Sequence, residues 1–175
     1  MKDILVTGFG PFGKFRDNPS DVLATLMPGV EGVVLSVTFG AGDRFTRNRF
    51  PRSIGAIVML GVAERGRKLR LERRARNWVG GSPDVFEVTR GPGPISHRGQ
   101  EYLEGTLFDG WEDTDLWALS DDAGSCLCNY LYYRVLERHP SARCGFVHLL
   151  PFSSRPLQQQ LEWPKALIDE VRARL

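Results

Sequence analysis

The chain has 175 residues, 42% of them hydrophobic, and its 23 Lys and Arg against 21 Asp and Glu give a net charge of +2. This length supports one domain with a substantial core and excludes two of ordinary size, so residues 1–175 are predicted to form a single domain. The near balance of charge predicts no general attraction to nucleic acid or to an anionic membrane.

The predicted strands, in chain order, are Ile4 to Thr7, Val33 to Val37, Ala56 to Leu60, Leu116 to Leu119 and Gly145 to Leu150. The predicted helices are Pro19 to Leu26, Cys126 to Glu137 and Trp163 to Leu175, the last with Leu167, Ile168 and Val171 on one side. This alternation is typical of the α/β class. It predicts a three-layer α/β/α domain with a mostly parallel central sheet and sites at the carboxyl ends of its strands. The loop from Gly80 to Gly99 is predicted to be the most mobile region.

The start of the chain and its cysteines predict a cytoplasmic protein. Met1-Lys2-Asp3 leads directly into an apolar strand with Gly8 close behind, which is not the pattern of a secretory signal. No apolar run approaches the roughly 20 residues that cross a bilayer. Three cysteines, two of them separated by a single residue, do not make a disulfide framework and indicate a reducing compartment.

The glycine-rich loop from Gly8 to Gly13 matches the residue pattern of two nucleotide-binding motifs but lacks other features that these motifs require. In a dinucleotide site the helix begins inside the glycine loop, whereas here Asn18-Pro19 indicates a later helix start. In a phosphate loop the position of Phe15 would be Ser or Thr. We therefore expect no nucleotide cofactor. Phe9 and Phe12 are instead either the walls of a small apolar pocket or ordinary core aromatics.

Two further site types are not favoured. Cys126, Cys128, Cys144 and His148 are poorly spaced for zinc, because helical positions two apart point away from each other and strand positions four apart lie roughly 13 Å apart. The basic segment Arg65 to Arg76 alternates apolar and polar residues, which indicates a half-buried strand with a solvated or salt-bridged face rather than a nucleic-acid surface.

Cys128 falls in the first turn of a predicted helix that follows a strand end and a tight loop. A thiol there lies at the positive end of the backbone dipole, which favours the thiolate. It is a candidate nucleophile, with His148 and Glu72 as candidates for the base and the orienting acid. The alternative is that Cys128 and His148 are ordinary packing residues of the core.

Several segments, taken in order, match motifs of one known family. They are Ile4 to Gly13 with Asn18-Pro19-Ser20, Leu60 to Ala63, Leu71-Glu72-Arg73 with Asn77, Ala123-Gly124 with Cys128-Asn129-Tyr130, and Gly145 to His148. Together they cover most of residues 1 to 151. The chain resembles pyroglutamyl peptidase I, also called pyrrolidone-carboxylate peptidase.

The resemblance implies a cysteine peptidase that removes N-terminal pyroglutamate from peptides through a thioester acyl-enzyme. It assigns the nucleophile to Cys128, the general acid/base to His148 and the third catalytic residue to Glu72. It implies a peptide or small amide as substrate, no metal or other cofactor, and a homo-oligomer, dimer or tetramer, as the assembly.

The resemblance also implies a binding site for the lactam ring of the substrate. Phe9 and Phe12 become the expected pocket walls, and the backbone at Val62 and Leu127 is expected to hold the lactam amide.

The chain departs from the family pattern at two single positions and in two segments. Gly81 stands where family members commonly carry an arginine, and Cys126 stands where an aromatic residue is common. The segments 37–53, where Pro51 limits any covering helix, and 83–115 are thin. Two alternatives therefore stay open: the same catalytic residues on an altered pocket for another small amide or ester, and a catalytically silent binding protein.

Overall fold

Helices cover both faces of a six-stranded sheet in the computed structural model, which describes residues 2–13, 16–63, 66–154 and 157–175. The strands are β1 (Asp3–Phe9), β2 (Glu31–Leu35), β3 (Ile54–Val62), β4 (Leu69–Glu72), β5 (Arg74–Arg76), β6 (Tyr102–Glu104), β7 (Trp117–Ser120) and β8 (Cys144–Leu149). The helices are α1 (Pro19–Leu26), α2 (Phe39–Arg47), α3 (Leu127–Arg138), α4 (Leu157–Ala173) and a short 3-10 helix (Phe152–Ser154).

The strand order of the main sheet is β2-β1-β3-β8-β4-β7, and β5 and β6 form a separate antiparallel pair. Every neighbouring pair of the main sheet is parallel except β4 and β8. The predicted α/β/α architecture with a mostly parallel sheet is confirmed. The antiparallel β4 was not foreseen, and it brings the residues of the basic segment directly beside β8.

The core has two halves because successive strand residues point to opposite faces of the sheet. On one face the sheet packs against α1 and α4, and the predicted apolar side of the last helix, Leu167, Ile168 and Val171, is buried there. On the other face it packs against α3 and the end of α2, through Leu131 and Phe45 among others.

The helix α2 corrects the expectation that the segment 37–53 carries little covering structure. Thr38 caps the helix by accepting a hydrogen bond from the Ala41 N–H at 3.1 Å, and the helix ends at Arg47, so Pro51 does not interrupt it. The last helix also begins at Leu157 rather than Trp163, with Pro164 inside it. Within the described ranges, no helix is both long and apolar enough to cross a membrane.

The glycine loop closes onto the start of α1, as the Asn18-Pro19 pattern predicts. Asn18 is the N-cap of α1 and accepts from the Ser20 N–H at 3.0 Å, and Ser20 Oγ accepts from the Phe9 N–H at 3.0 Å. A Cβ at Gly8 would lie 2.0 Å from the Ser20 carbonyl oxygen, so this contact requires glycine. Lys14 and Phe15 of the motif, and Arg65 of the basic segment, lie outside the described residues.

Candidate active site

Cys128 is the second residue of α3, so the prediction that it occupies a first helical turn is confirmed. Its sulfur packs against the backbone of β3, where a Cβ at Gly61 would lie 2.8 Å from Sγ. The residue keeps some solvent contact, yet burial of the thiol raises its pKa to about 12, with Cys126 and Glu72 adding to the rise. The raised pKa gives no support to the expectation of a stabilised thiolate in the free protein, because desolvation is the largest of its causes.

Glu72 and His148 form a buried carboxylate–imidazole pair on the same face of the sheet. His148 Nδ1 lies 2.7 Å from Glu72 Oε1. The antiparallel register between β4 and β8 pairs Glu72 with Phe146, one step along the same face from His148. The Glu72 side chain is fully buried, and its backbone carbonyl accepts a hydrogen bond from the Tyr132 hydroxyl at 2.9 Å. This pairing fixes the ring, because Nδ1 donates to an ionised carboxylate.

The register between β3 and β8 places the thiol and the imidazole over neighbouring strands on one face of the sheet. Gly61, under the sulfur of Cys128, is the cross-strand partner of His148. The ring centroid of Phe146 lies 5.0 Å from that of His148, and the Phe146 Cζ and the Cys128 Sγ both lie 2.8 Å from the Cβ position of Gly61. Among the described residues no hydrogen bond joins Sγ to the ring. Since Nδ1 is used by Glu72, Nε2 is the nitrogen available to exchange a proton with the thiol.

A cavity of about 550 Å³ opens beside the thiol, and it brings together all four predicted pocket residues. Its apolar walls are Phe9, Phe12, Val37, Phe39, Val62, Val85 and Leu127, and Cys126 and Cys128 lie at its edge. Among the residues that the structure describes, the charged members of the lining are Asp84 and Glu87, both acidic. The cavity therefore suits a largely neutral ligand group.

The loop from Gly80 to Gly99 forms part of the cavity wall and is fastened at several points. Asp84 accepts backbone hydrogen bonds from Phe39 at 3.1 Å and from Phe86 at 2.9 Å, which together with Val88 lower its pKa against burial. The Val85 N–H donates to the Val37 carbonyl at 3.2 Å. These contacts give no support to the expectation that this is the most mobile loop.

A second set of contacts holds the far side of this loop. Arg90 lies 2.7 Å from Asp43 Oδ2, and it also contacts the hydroxyl of Tyr130, which is 2.8 Å from Asp43 Oδ1. Hydrogen bonds from Tyr130 and Arg90 lower the pKa of Asp43 although burial opposes them. The cluster joins the loop to α2 and α3.

Of the two single-residue departures from the family pattern, Cys126 lines the cavity, and Gly81 directly precedes the lining residue Ser82. Cys126 is the N-cap of α3, is exposed, and lies 3.9 Å from the Ser82 hydroxyl. A Cβ at Gly81 would meet Pro92 at 3.5 Å, an ordinary contact, so the missing side chain leaves space rather than a filled position. Phe39, which the sequence did not single out, supplies an aromatic wall nearby.

Arg70 is the other residue that sequence reasoning missed. It lies on β4 beside the Glu72–His148 pair, with Nε 3.2 Å from Glu72 Oε1 and Nη2 3.3 Å from His148 Nδ1. The period-two alternation of the basic segment was the available signal, because residues two apart on a strand share a face. No group of three or more His, Cys, Asp or Glu within the described ranges is placed to hold a metal ion.

A thiol in the first turn of a helix, a carboxylate–imidazole pair beside it and an apolar cavity in front of it are the parts of a cysteine hydrolase. No family model matches the chain. It is 30% identical to the pyrrolidone-carboxylate peptidase of Halalkalibacterium halodurans over 190 aligned positions, which cover 97% of this chain and 94% of that protein. The chain belongs to the pyrrolidone-carboxylate peptidase family, and the resemblance seen in the sequence is confirmed.

Solved structures agree with this assignment. The pyrrolidone carboxyl peptidase of Thermus thermophilus is 30% identical, with a TM-score of 0.76 over 94% of this chain and 98% of that one. A variant of the pyrrolidone carboxyl peptidase of Pyrococcus furiosus, at 24% identity, has a TM-score of 0.83 over 99% of both chains and shows the same fold.

Proposed function

We propose that this chain is a cysteine peptidase that removes N-terminal pyroglutamate from peptides, with Cys128 as nucleophile, His148 as general acid/base and Glu72 as the carboxylate that orients the imidazole. Membership of the pyrrolidone-carboxylate peptidase family supports the reaction. The observation that carries the residue roles is the buried 2.7 Å contact between His148 and Glu72 on the sheet face over which the Cys128 sulfur lies.

The cavity chemistry supports a pyroglutamyl substrate. The lactam ring is small, flat and neutral, so aromatic walls such as Phe9 and Phe12 can bury it without leaving a charge unpaired. Val62 and Leu127 border the same cavity, and their backbone groups are proposed to hold the lactam amide. The ring then presents its exocyclic carbonyl to Cys128.

The proposed reaction proceeds through two proton transfers at His148. Nε2 takes the Cys128 proton as Sγ attacks the exocyclic carbonyl carbon, and backbone N–H groups at the start of α3 stabilise the oxyanion. The C–N bond breaks, the imidazolium protonates the departing amine, and a thioester remains. A water molecule then attacks the thioester and gives its proton to Nε2; pyroglutamate leaves and Cys128 regains a proton.

The raised pKa of Cys128 decides which form of the enzyme starts the reaction. With a pKa of about 12, the thiol is neutral in the free protein near pH 7. Proton removal must then accompany attack on the carbonyl, which is general-base catalysis. This makes the reaction strongly dependent on His148.

The test uses a fluorogenic amide of pyroglutamate. We expect release of the fluorophore by the wild type and loss of at least about a hundredfold in kcat for Cys128→Ser and His148→Gln, as for residues that transfer protons or bond to substrate. Cys144→Ala, which removes a buried thiol away from the cavity, is the matched control and should keep activity. Absence of turnover by a folded wild type, or full activity in Cys128→Ser, would contradict the proposal.

A second candidate function is supported by the size of the cavity and by the departure from the family pattern at Cys126. The cavity of about 550 Å³ is in the range of pockets that hold drug-sized ligands, and Cys126 lines it where an aromatic residue is common in the family. The same residues would then hydrolyse a different small amide or ester. A panel of acyl amides and esters distinguishes the two: Cys128-dependent turnover of other acyl groups without pyroglutamyl turnover would favour the second candidate. A silent binding protein would turn over none of them.

The assembly and cellular location are further proposals. All three cysteines are free thiols, which supports a reducing, cytoplasmic environment. We expect a homo-oligomer, dimer or tetramer, and binding to neither nucleic acid nor membrane. Light scattering coupled to size-exclusion chromatography measures the mass, and a monomer across the micromolar range would contradict the oligomer.

A further inference from the structure

Arg70 occupies a distinctive place behind the proposed catalytic residues. It is the cross-strand partner of His148 in the β4–β8 register and stands two residues before Glu72 on the same face. Its Nε lies 3.2 Å from Glu72 Oε1, and its Nη2 lies 3.3 Å from His148 Nδ1. The Arg70 side chain is 39% exposed, whereas Glu72 is fully buried. One guanidinium therefore contacts both members of the carboxylate–imidazole pair.

The hydrogen-bonding capacity of these groups limits how they can be protonated. A guanidinium only donates, and an ionised carboxylate only accepts. At 2.7 Å from Glu72 Oε1, Nδ1 of His148 therefore carries the proton of that contact. A protonated Nδ1 cannot accept from Arg70, so the 3.3 Å approach is an electrostatic contact between a cation and the ring rather than a hydrogen bond. Oε1 therefore accepts the hydrogen bond from the protonated Nδ1 and also lies beside the positive charge of Arg70.

Among the described residues, the other groups around the His148 ring do not supply a positive charge in place of that of Arg70. Of the described residues, β4 brings Arg70 and Glu72 to His148, α3 brings the thiol of Cys128, and β3 brings the uncharged backbone of Gly61. Tyr132, also on α3, donates to the backbone carbonyl of Glu72 rather than to its carboxylate. Oε2 of Glu72 is buried and has no hydrogen-bond partner in the part of the chain that the structure describes. A buried carboxylate with so few donors is expensive to keep ionised unless a cation lies beside it.

We propose that Arg70 is a positioning residue of the catalytic site: it keeps Glu72 ionised and His148 neutral with its proton on Nδ1, so that Nε2 is free to take the Cys128 proton. This role rests on the proposed function for its effect on turnover. A cation beside the ring opposes an imidazolium, and a carboxylate favours one, so Arg70 offsets Glu72 at the ring. The reaction then starts from a neutral thiol and a neutral imidazole. The thiol pKa of about 12 agrees with that starting state.

The first measurement does not depend on turnover. Nitrogen NMR of the ring, with the His148 signals assigned by comparison with His148→Gln, reports both the tautomer and the titration midpoint. We expect the proton on Nδ1 in the wild type and a midpoint that moves to higher pH in Arg70→Gln, by about one pH unit for loss of a nearby like charge. Arg70→Lys should stay close to the wild type. An unmoved midpoint in a folded Arg70→Gln, or a proton on Nε2 in the wild type, would overturn the proposal.

The second measurement is the pH profile of kcat/KM, whose acidic limb reports the group that must be neutral in the free enzyme. In Arg70→Gln the limb should move to higher pH in parallel with the NMR midpoint, and Arg70→Lys should restore it. Arg73→Gln is the matched control, because Arg73 pairs with Asp121 and not with the catalytic residues. A purely structural Arg70 would lower the rate equally at all pH values and leave the limb in place, which would also overturn the proposal. If the wild type lacks turnover altogether, the proposed function fails while the NMR result still decides the role of Arg70.

Discussion

The environment of a single sulfur decides how this site can work. The helix dipole favours the thiolate of a cysteine in the first turn. Cys128, however, packs against the backbone at Gly61, near Phe146, and burial raises the pKa of its thiol to about 12. The helix field favours the thiolate and desolvation opposes it, and desolvation is the largest cause of the raised pKa. In the proposed reaction, Cys128 therefore stays a thiol until His148 accepts its proton.

At the residue scale, Gly61→Ala should displace the nucleophile. The added Cβ would lie 2.8 Å from both Cys128 Sγ and Phe146 Cζ, so one of them must move. We expect kcat to fall by about tenfold or more, since displacements near 1 Å at a reacting atom cost up to about a hundredfold, with about 1–3 kcal/mol lost in stability from overpacking. Steady-state kinetics and urea unfolding measure the two effects. Gly93→Ala is the control, because no atom of a described residue lies within 4 Å of its Cβ position. Equal kinetics in both variants would contradict a displacement caused by packing.

At the element scale, the pocket is made by a loop that is held against two helices. Phe39 at the start of α2 and Val85 of the loop both line the cavity, and the Arg90 contacts with Asp43 and Tyr130 join the loop to α2 and α3. The proposed catalytic residues Glu72 and His148 lie on strands outside this cluster, whereas Cys128 lies on α3, two residues before Tyr130. We therefore expect the Arg90 contacts to affect the proposed substrate pocket more than the Glu72–His148 pair.

Arg90→Ala should loosen the cavity wall while leaving the catalytic residues in place. We expect KM to rise by roughly three- to thirtyfold with kcat changed by less than about threefold, because losing a partly buried charge-assisted contact costs on the order of 1–2 kcal/mol. Steady-state kinetics with the pyroglutamyl amide measures the split. The exposed Arg98, later in the same loop, provides the control Arg98→Ala. A fall in kcat with KM unchanged would show that the loop serves the chemistry instead.

At the scale of the whole molecule, thiol and phenol groups whose pKa values are raised by burial limit the stability of the fold at high pH. Burial raises the pKa values of Cys128 and Cys144 from about 9 to about 12, and burial with the Asp43 contact raises that of Tyr130 from about 10 to about 12. Each group has a higher pKa in the folded state than in the unfolded state. Its contribution is therefore fully present below the unfolded value and is lost as pH rises through the folded value.

The free energy of unfolding should accordingly fall between about pH 9 and pH 12, by up to about 1.4 kcal/mol per pH unit for each thiol inside its window. Urea unfolding at a series of pH values measures the slope. Cys144→Ala, which removes one of these groups, should be less stable near pH 7 but show a shallower decline above pH 9. A flat wild-type profile, or an unchanged slope in the variant, would contradict this account.

Local patterns in the sequence predicted most of the architecture. Features that depend on contacts within one element can be read from the sequence. They include the period-two strands, the Asn18-Pro19 helix start and the apolar side of α4. The nine-residue α2 was missed because its mean composition is polar and Pro51 lies close behind it. The catalytic residues Cys128, His148 and Glu72 were proposed from family motifs, and their roles remain predictions.

The sequence by itself determined the α/β class, the family and the identity of the candidate nucleophile, because these follow from periodicity and from motifs in a fixed order. Only the tertiary structure decided the electrostatics of the site. The antiparallel pairing of β4 with β8 sets Arg70 and Glu72 against His148, although 76 residues separate Glu72 from His148 along the chain. The packing of α3 onto Gly61 removes water from the thiol. Desolvation and charge proximity are properties of distances in space, and a linear sequence does not contain them.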